Sequence, residues 1–183
     1  MKLWTVESKY DKYMCTRPEI PFTFEQLHMF NGTKLSDNWV VPKLLISKGS
    51  SYKKCDFPYF SCGLPLVSKK ALDILLPIIT DSVEILPMDV EGEMYYGINV
   101  LRVLDVVDYD KTDHWFLPSG KIIVEKYAFH NCDELWKYNI FKVTDNTMTS
   151  IPFVSDIFKT TVEENKLKGF SFKLVCDSDM FTD

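Results

Sequence analysis

The 183-residue sequence has no excess of positive charge. Its 21 Lys and Arg against 26 Asp and Glu give a net charge of −5, and the pI is near 5.2. A nucleic-acid binder needs a basic footprint to neutralise phosphates, so the balance argues against that class. No apolar run approaches the roughly 18 residues needed to cross a bilayer. No apolar core follows Met1-Lys2-Leu3-Trp4, so neither a membrane span nor a signal peptide is expected. The seven glycines are scattered and build no phosphate-cradling loop. No HExxH or GxSxG motif occurs. His28, His114 and His130 share no metal-ligand spacing, so no metal and no cofactor is expected. Cys15, Cys55, Cys62, Cys132 and Cys176 form an odd set without a CxxC pair, which suits reduced thiols and a cytoplasmic protein. Repeats and low-complexity segments are missing too.

What is present is ordinary globular composition, 46% hydrophobic and 26% charged, enough for one sizeable core. The polar stretch Lys48 to Lys54 is the best linker. It divides residues 1–54, an N-terminal extension or small lobe, from a main domain at 55–183, unless one domain runs throughout.

The stretch from Val83 to Asp108 organises the rest. Glu91-Gly92 reads as a tight hairpin turn, because glycine accepts positive φ without steric cost. The strand after the turn is apolar on both faces, from Tyr95 and Tyr96 to Val106 and Val107, so it belongs in mid-sheet. Asn99, Arg102 and Asp105 interrupt it. They are either structurally satisfied polar groups or the lining of a candidate pocket. Ser68 caps a helix whose Leu72, Leu75, Leu76 and Ile79 form one apolar face. Pro77 kinks or ends that helix, having no N–H for the carbonyl of Asp73. Ser155 caps a second helix with Ile157, Phe158 and Val162 as its apolar stripe and Asp156 in its first turn. Gly169 ends it or turns the chain.

Before the hairpin, residues 2–7 read as an edge strand. Pro42 demotes the apolar run around it to an edge strand or loop. Lys121 to Phe129, Tyr138 to Val143 and Phe170 to Val175 read as further strands, with turns at Ser119-Gly120 and Asp145–Thr149. The acidic tail after Val175 frays. The expected class is therefore α+β: a mostly antiparallel sheet centred on residues 93–108, with helices near 68–79 and 155–166.

Two segments invite a chemical reading. In His130-Asn131-Cys132-Asp133-Glu134 an extended chain sets His130 and Cys132 on one side. A small cysteine hydrolase would need that pairing, with the histidine holding the thiolate. No third orienting group lies nearby, and the enzyme reading stands second to a non-enzymatic one. Asp105, Asp108, Asp110 and Asp113 cluster around the loop after the central strand, with no EF-hand spacing. His114, Trp115 and Phe116 follow in the same loop. Acidic residues beside exposed aromatics are the composition of a protein interface. Trp115 could equally point inward and pin the loop. A pocket at Asn99 and Arg102 would instead make the chain a small-molecule or peptide sensor.

One series of short motifs carries more than local structure. Pro65-Leu66-Val67-Ser68 opens a helix, and Val83-Glu84-Ile85-Leu86-Pro87 follows. Next come Tyr95-Tyr96, Asn99-Val100-Leu101-Arg102-Val103 and Leu104-Asp105. Asp108, Lys111 and Ile140-Phe141-Lys142 continue the order. Phe153-Val154-Ser155 opens the second helix, before Leu167-Lys168-Gly169-Phe170-Ser171-Phe172. Over roughly residues 60 to 175, this order and spacing resembles the bacterial polymorphic-toxin immunity proteins, family eleven. Phe30-Asn31-Gly32, Trp39 and Pro42 fit the family's looser N-terminal pattern.

The resemblance implies a cytoplasmic protein that neutralises a cognate toxin by stoichiometric binding, and nucleases are frequent among such toxins. It implies no catalytic residues. Combined with the loop chemistry, it places a toxin of basic character against Asp108, Asp110, Asp113, His114, Trp115 and Phe116. Asp133, Glu134 and Trp136 lie beside them. Neither nucleic acid nor membrane is expected as a partner, and the oligomeric state is left open.

Overall fold

The computed structural model describes residues 1–23, 25–26, 29–47, 53–60, 64–116, 122–130, 132–144 and 151–178. His28, Cys62, Asn131, most of the linker, the turns at Ser119-Gly120 and Asp145–Thr149 and the end of the acidic tail lie outside them. In chain order the elements are β1 (Lys2–Ser8), β2 (Cys15–Pro18), β3 (Lys43–Ile46), β4 (Tyr59–Phe60), β5 (Leu66–Ser68), α1 (Lys69–Ile79), β6 (Val83–Val90), β7 (Glu93–Val100) and β8 (Val103–Leu104). They continue with β9 (Asp113–Phe116), β10 (Ile122–Lys126), α2 (Cys132–Leu135), β11 (Ile140–Val143), β12 (Phe153–Ser155), α3 (Asp156–Glu164) and β13 (Phe170–Asp177).

The fold is mostly β, 42% strand against 19% helix. This corrects the α+β class read from the sequence. The two helices stand where expected, but strands as short as β2, β4, β8 and β12 carry too few residues to show a period of two. Among the described residues one sheet has the order β13-β1-β12-β11-β8, a second the order β4-β2-β3-β6-β7-β5, and β9 pairs with β10 as a two-stranded ribbon. The six-stranded sheet is nearly closed, like a barrel, with β4 and β5 at its two ends.

The hairpin forms as its turn requires. Glu91 and Gly92 have φ of 49° and 90°, and Val83–Val90 pairs residue for residue with Glu93–Val100. The single strand expected across 93–108 does not form. Leu101 and Arg102 both donate their amides to the Ser82 carbonyl, at 2.8 and 3.2 Å, and the chain then crosses to the other sheet. There β8 runs parallel to β11. Two-faced apolarity marked burial correctly but could not say that two sheets share it. Two strands expected at edges are interior: β1 lies between β13 and β12, and β3 lies between β2 and β6. Pro42 is tolerated because β3 starts one residue later.

The sheets are joined by one motif used twice. In the first half β5 and β6 are parallel, with β7 antiparallel between them and α1 connecting them. In the second half β12 and β13 are parallel, with β1 between them and α3 connecting them. The middle strand follows the motif in one half and comes from the N-terminus in the other, so no sequence repeat marks the duplication. The helices pack on each other over a core that includes Leu72, Leu75, Ile79, Phe158 and Val162.

Each helix cap is tied to the other helix's exit. Ser68 Oγ accepts from the Ala71 amide and donates to Asp56 Oδ1, at 3.2 and 2.9 Å, while Asp56 Oδ2 accepts from the Lys168 amide at 2.8 Å. Reciprocally, Ser155 Oγ accepts from the Phe158 amide and donates to Asn139 Oδ1, at 3.2 and 2.6 Å. Asn139 Nδ2 donates to the Ile78 carbonyl at 2.9 Å. Removing either latch strands a cap hydroxyl and a backbone group together. Asp56→Ala and Asn139→Ala should each destabilise by about 1–3 kcal/mol, with Asp56→Asn milder because it keeps an acceptor. Urea titration of the three variants checks the order.

Candidate functional site

Thr112 sets the base of the β9–β10 ribbon. Its buried hydroxyl donates to the Asp108 carbonyl at 2.7 Å and accepts from the Ala128 amide at 3.1 Å. Tyr109 donates its hydroxyl to the Thr144 carbonyl at 3.0 Å, and its ring meets His114 edge-on at 6.0 Å. His114 Nδ1 lies 2.8 Å from the Thr112 carbonyl, which assigns the proton to that nitrogen. From this base β9 and β10, among the described residues, pair only with each other, with Trp115 opposite Ile123 and His114 opposite Val124. Directly opposed residues share a face, so Trp115 and Ile123 form one apolar cross-strand pair. Trp115 is 47% exposed, so the reading in which it is tucked into the core does not describe this structure.

The other residues singled out from the sequence divide by environment. Asp108 is half-buried and pairs with Lys111 at 3.2 Å, whereas Asp110 and Asp113 are exposed. Phe116 continues β9, and its side chain is outside the described set. Asp133 is exposed, and Glu134 pairs with Lys137 at 2.5 Å. Trp136 is half-buried against the core cluster that also holds Tyr109, Phe129 and Leu135. The structure brings the two segments together at their bases: Val107 bridges to Phe129, and the His130 amide donates to the Val106 carbonyl at 2.9 Å.

Asn99, Arg102 and Asp105 have separate surroundings. Asn99 is fully buried, and its Nδ2 donates to Glu84 Oε1 and to the Thr33 carbonyl, at 2.7 and 2.9 Å. The Arg102 guanidinium lies 4.5 Å from the centre of the Tyr138 ring. Asp105 is exposed. Cys132 is the first residue of α2 and not part of a strand, and His130 is exposed. Burial pushes the Cys55 thiol up to about 11, so it stays protonated and unreactive at neutral pH. Among the described residues no three His, Cys, Asp or Glu side chains group as a metal site. No described helix is long and apolar enough to cross a membrane.

Glu84 was missed by sequence reasoning. It is 8% exposed and accepts from the Leu35 amide at 2.5 Å, the Ser36 amide at 3.0 Å and Asn99 Nδ2. Burial pushes its carboxyl up, but the hydrogen bonds from Asn99, Leu35 and Ser36 outweigh that and hold it below the usual carboxylate value. From the other sheet, buried Lys142 donates to the Phe30 carbonyl at 2.7 Å. The crossing segment 30–36 is thus clamped by both sheets. A signal for Glu84 existed, since a two-residue turn at 91–92 sets residue 84 opposite residue 99. Beside the barrel, Val6, Phe57, Phe60 and Leu66 line an apolar cavity of about 220 Å³ with Tyr10, Tyr59 and Ile151 also on its walls.

Residues 41–177, from the strand before the barrel's centre through the ribbon to β13, match the family described as Immunity protein family (Imm11). No curated protein matches the chain.

Proposed function

We propose a mode of action from one premise: the chain belongs to the Imm11 immunity protein family. It binds one copy of its cognate toxin in the cytoplasm and blocks it without chemistry of its own. The contact surface is the ribbon Asp108, Asp110, Asp113, His114, Trp115 and Phe116, with Asp133, Glu134 and Trp136 beside it. The exposed Trp115 on a two-stranded ribbon that, among the described residues, pairs with no third strand carries this reading. A lone pair of strands is marginal in water, and covering the Trp115–Ile123 face with a partner would stabilise ribbon and complex at once. Trp at the centre of an interface typically costs about 2 kcal/mol or more when truncated.

Asp110 and Asp113, exposed at the same ribbon, would steer a basic toxin and act on the association rate. A nuclease fits that charge, because an enzyme that grips phosphates is basic where it works. The adjacent reading frame is the place to seek the toxin. Against it, Trp115→Ala should lose at least tenfold in affinity, about 1.4 kcal/mol, with little change in melting temperature. A large drop in melting temperature with affinity intact would instead make Trp115 structural and remove the site. The double variant Cys132→Ala with His130→Ala should protect co-expressing cells as the natural chain does. Normal toxin binding with protection lost would reinstate an enzymatic role.

A further inference from the structure

The five-stranded sheet ends on one side at β8, two residues long, and on the other at β13, eight residues long. β13 pairs with β1 along its length, and among the described residues no strand pairs with its outer edge. Such an edge is a template for another chain unless proline, charge or a bulge blunts it. A bulge is present at Val175, because Leu3 faces Cys176 while Trp4 faces Leu174. Ahead of it Phe170–Leu174 is regular, contains no proline and carries only Lys173 as a charge. Leu174 is 43% exposed. Alongside runs a groove of about 430 Å³ between α3 and β13, with Lys166, Leu167 and Phe170 in its walls.

We propose that a second copy of this chain occupies the edge, β13 against β13, antiparallel about a two-fold axis at Phe172. An isologous antiparallel pairing opposes residues of the same sheet face. Centred on Phe172, it sets Phe172 against itself, Phe170 against the partner's Leu174, and Ser171 against the partner's Lys173. The helix-side face then gains aromatic and aliphatic cross-strand pairs, and no like charges are opposed. Each exposed Leu174 meets the groove beside the other copy's Phe170. Centring on Lys173 would oppose that lysine to itself and run into the bulge. Centring on Ser171 would shorten the ladder at Gly169, whose φ is 100°. One register therefore suits the sequence, and it does not depend on the toxin reading.

Sedimentation equilibrium of the full chain tests this, with Ser171→Lys and Ser171→Glu as paired variants. The natural chain should show a reversible monomer–dimer equilibrium. Ser171→Lys, placed opposite the partner's Lys173 twice by symmetry, should weaken the dimer at least tenfold. Ser171→Glu should tighten it severalfold at low salt and lose that gain as salt screens the pair. Within the monomer Glu7 lies opposite Ser171 on β1, so Ser171→Lys should hold or slightly raise the monomer's melting temperature and Ser171→Glu should slightly lower it. A chain monomeric at about 1 mM would overturn the proposal. So would two substitutions that act in the same direction, or an edge that accepts an added strand-forming peptide while the chain stays monomeric.

Discussion

Glu84→Ala is expected to destabilise the fold by about 3–5 kcal/mol, since three donors lose their shared acceptor inside the protein and each costs about 1–3 kcal/mol unpaired. For a chain of this size that is a fall in melting temperature on the order of 10 °C. The donors are the Leu35 and Ser36 amides and Asn99 Nδ2, so the loss should also free the segment 30–36 from the six-stranded sheet. Hydrogen exchange at Leu35 and Ser36 would accelerate before global unfolding. Glu84→Gln keeps one acceptor but turns an N–H₂ toward a donor, and its cost should be intermediate. The carboxyl sits below its usual value. Its contribution is thus fully present above about pH 4.3, the ordinary glutamate pKa, and is lost as pH falls through the lower folded value. The gap in urea stability between the natural chain and Glu84→Gln should be wide at neutral pH and narrow in strong acid. A gap that stays constant would mean the charge does not matter.

Gly169→Ala should rival it, at about 3 kcal/mol or more, because strain and overpacking act together. Gly169 has φ of 100°, and a Cβ there would stand 2.5 Å from the Phe57 carbonyl oxygen and 3.0 Å from Cys55 Sγ. The backbone oxygen cannot swing aside as a side chain would. Lys168 and Gly169 also accept from Asp56, Phe57 and Lys9 amides, so any shift is shared with the latch at Ser68. Gly92→Ala is the matched control. Its φ is 90°, but nothing lies within 4 Å, so only the conformational cost of about 1–3 kcal/mol applies. If the two alanine variants unfold at the same urea concentration, the close approach at Gly169 is not real.

Both helices, their serine caps and the hairpin turn were legible in the sequence. Ser68 and Ser155 act within three residues of themselves, and Glu91-Gly92 needs only its own dihedral angles. The exposure of Trp115, the pairing of its ribbon and the separate surroundings of Asn99, Arg102 and Asp105 were not. Those depend on what the rest of the chain brings alongside. The latch roles of Asp56 and Asn139 were not legible either, because each finds its second partner at the end of the far helix, 112 and 61 residues away in sequence.

The sequence by itself determined the family resemblance, the positions of α1 and α3 and the register of Val83–Val90 on Glu93–Val100. All follow from side-chain order, caps and a turn with fixed geometry. Only the tertiary structure decided which sheet each strand joins. A strand's pattern records that a face is buried and never what buries it. The Tyr95–Val107 stretch is apolar on both sides whether it lies in one sheet or crosses between two. The crossing is made by the Ser82 carbonyl taking two amides and by segment 30–36, clamped through Glu84, Asn99 and Lys142 from opposite sheets. The two amides reach the Ser82 carbonyl from 19 and 20 residues away, and the clamp on segment 30–36 spans 48 to 112 residues of sequence, beyond the reach of any local rule.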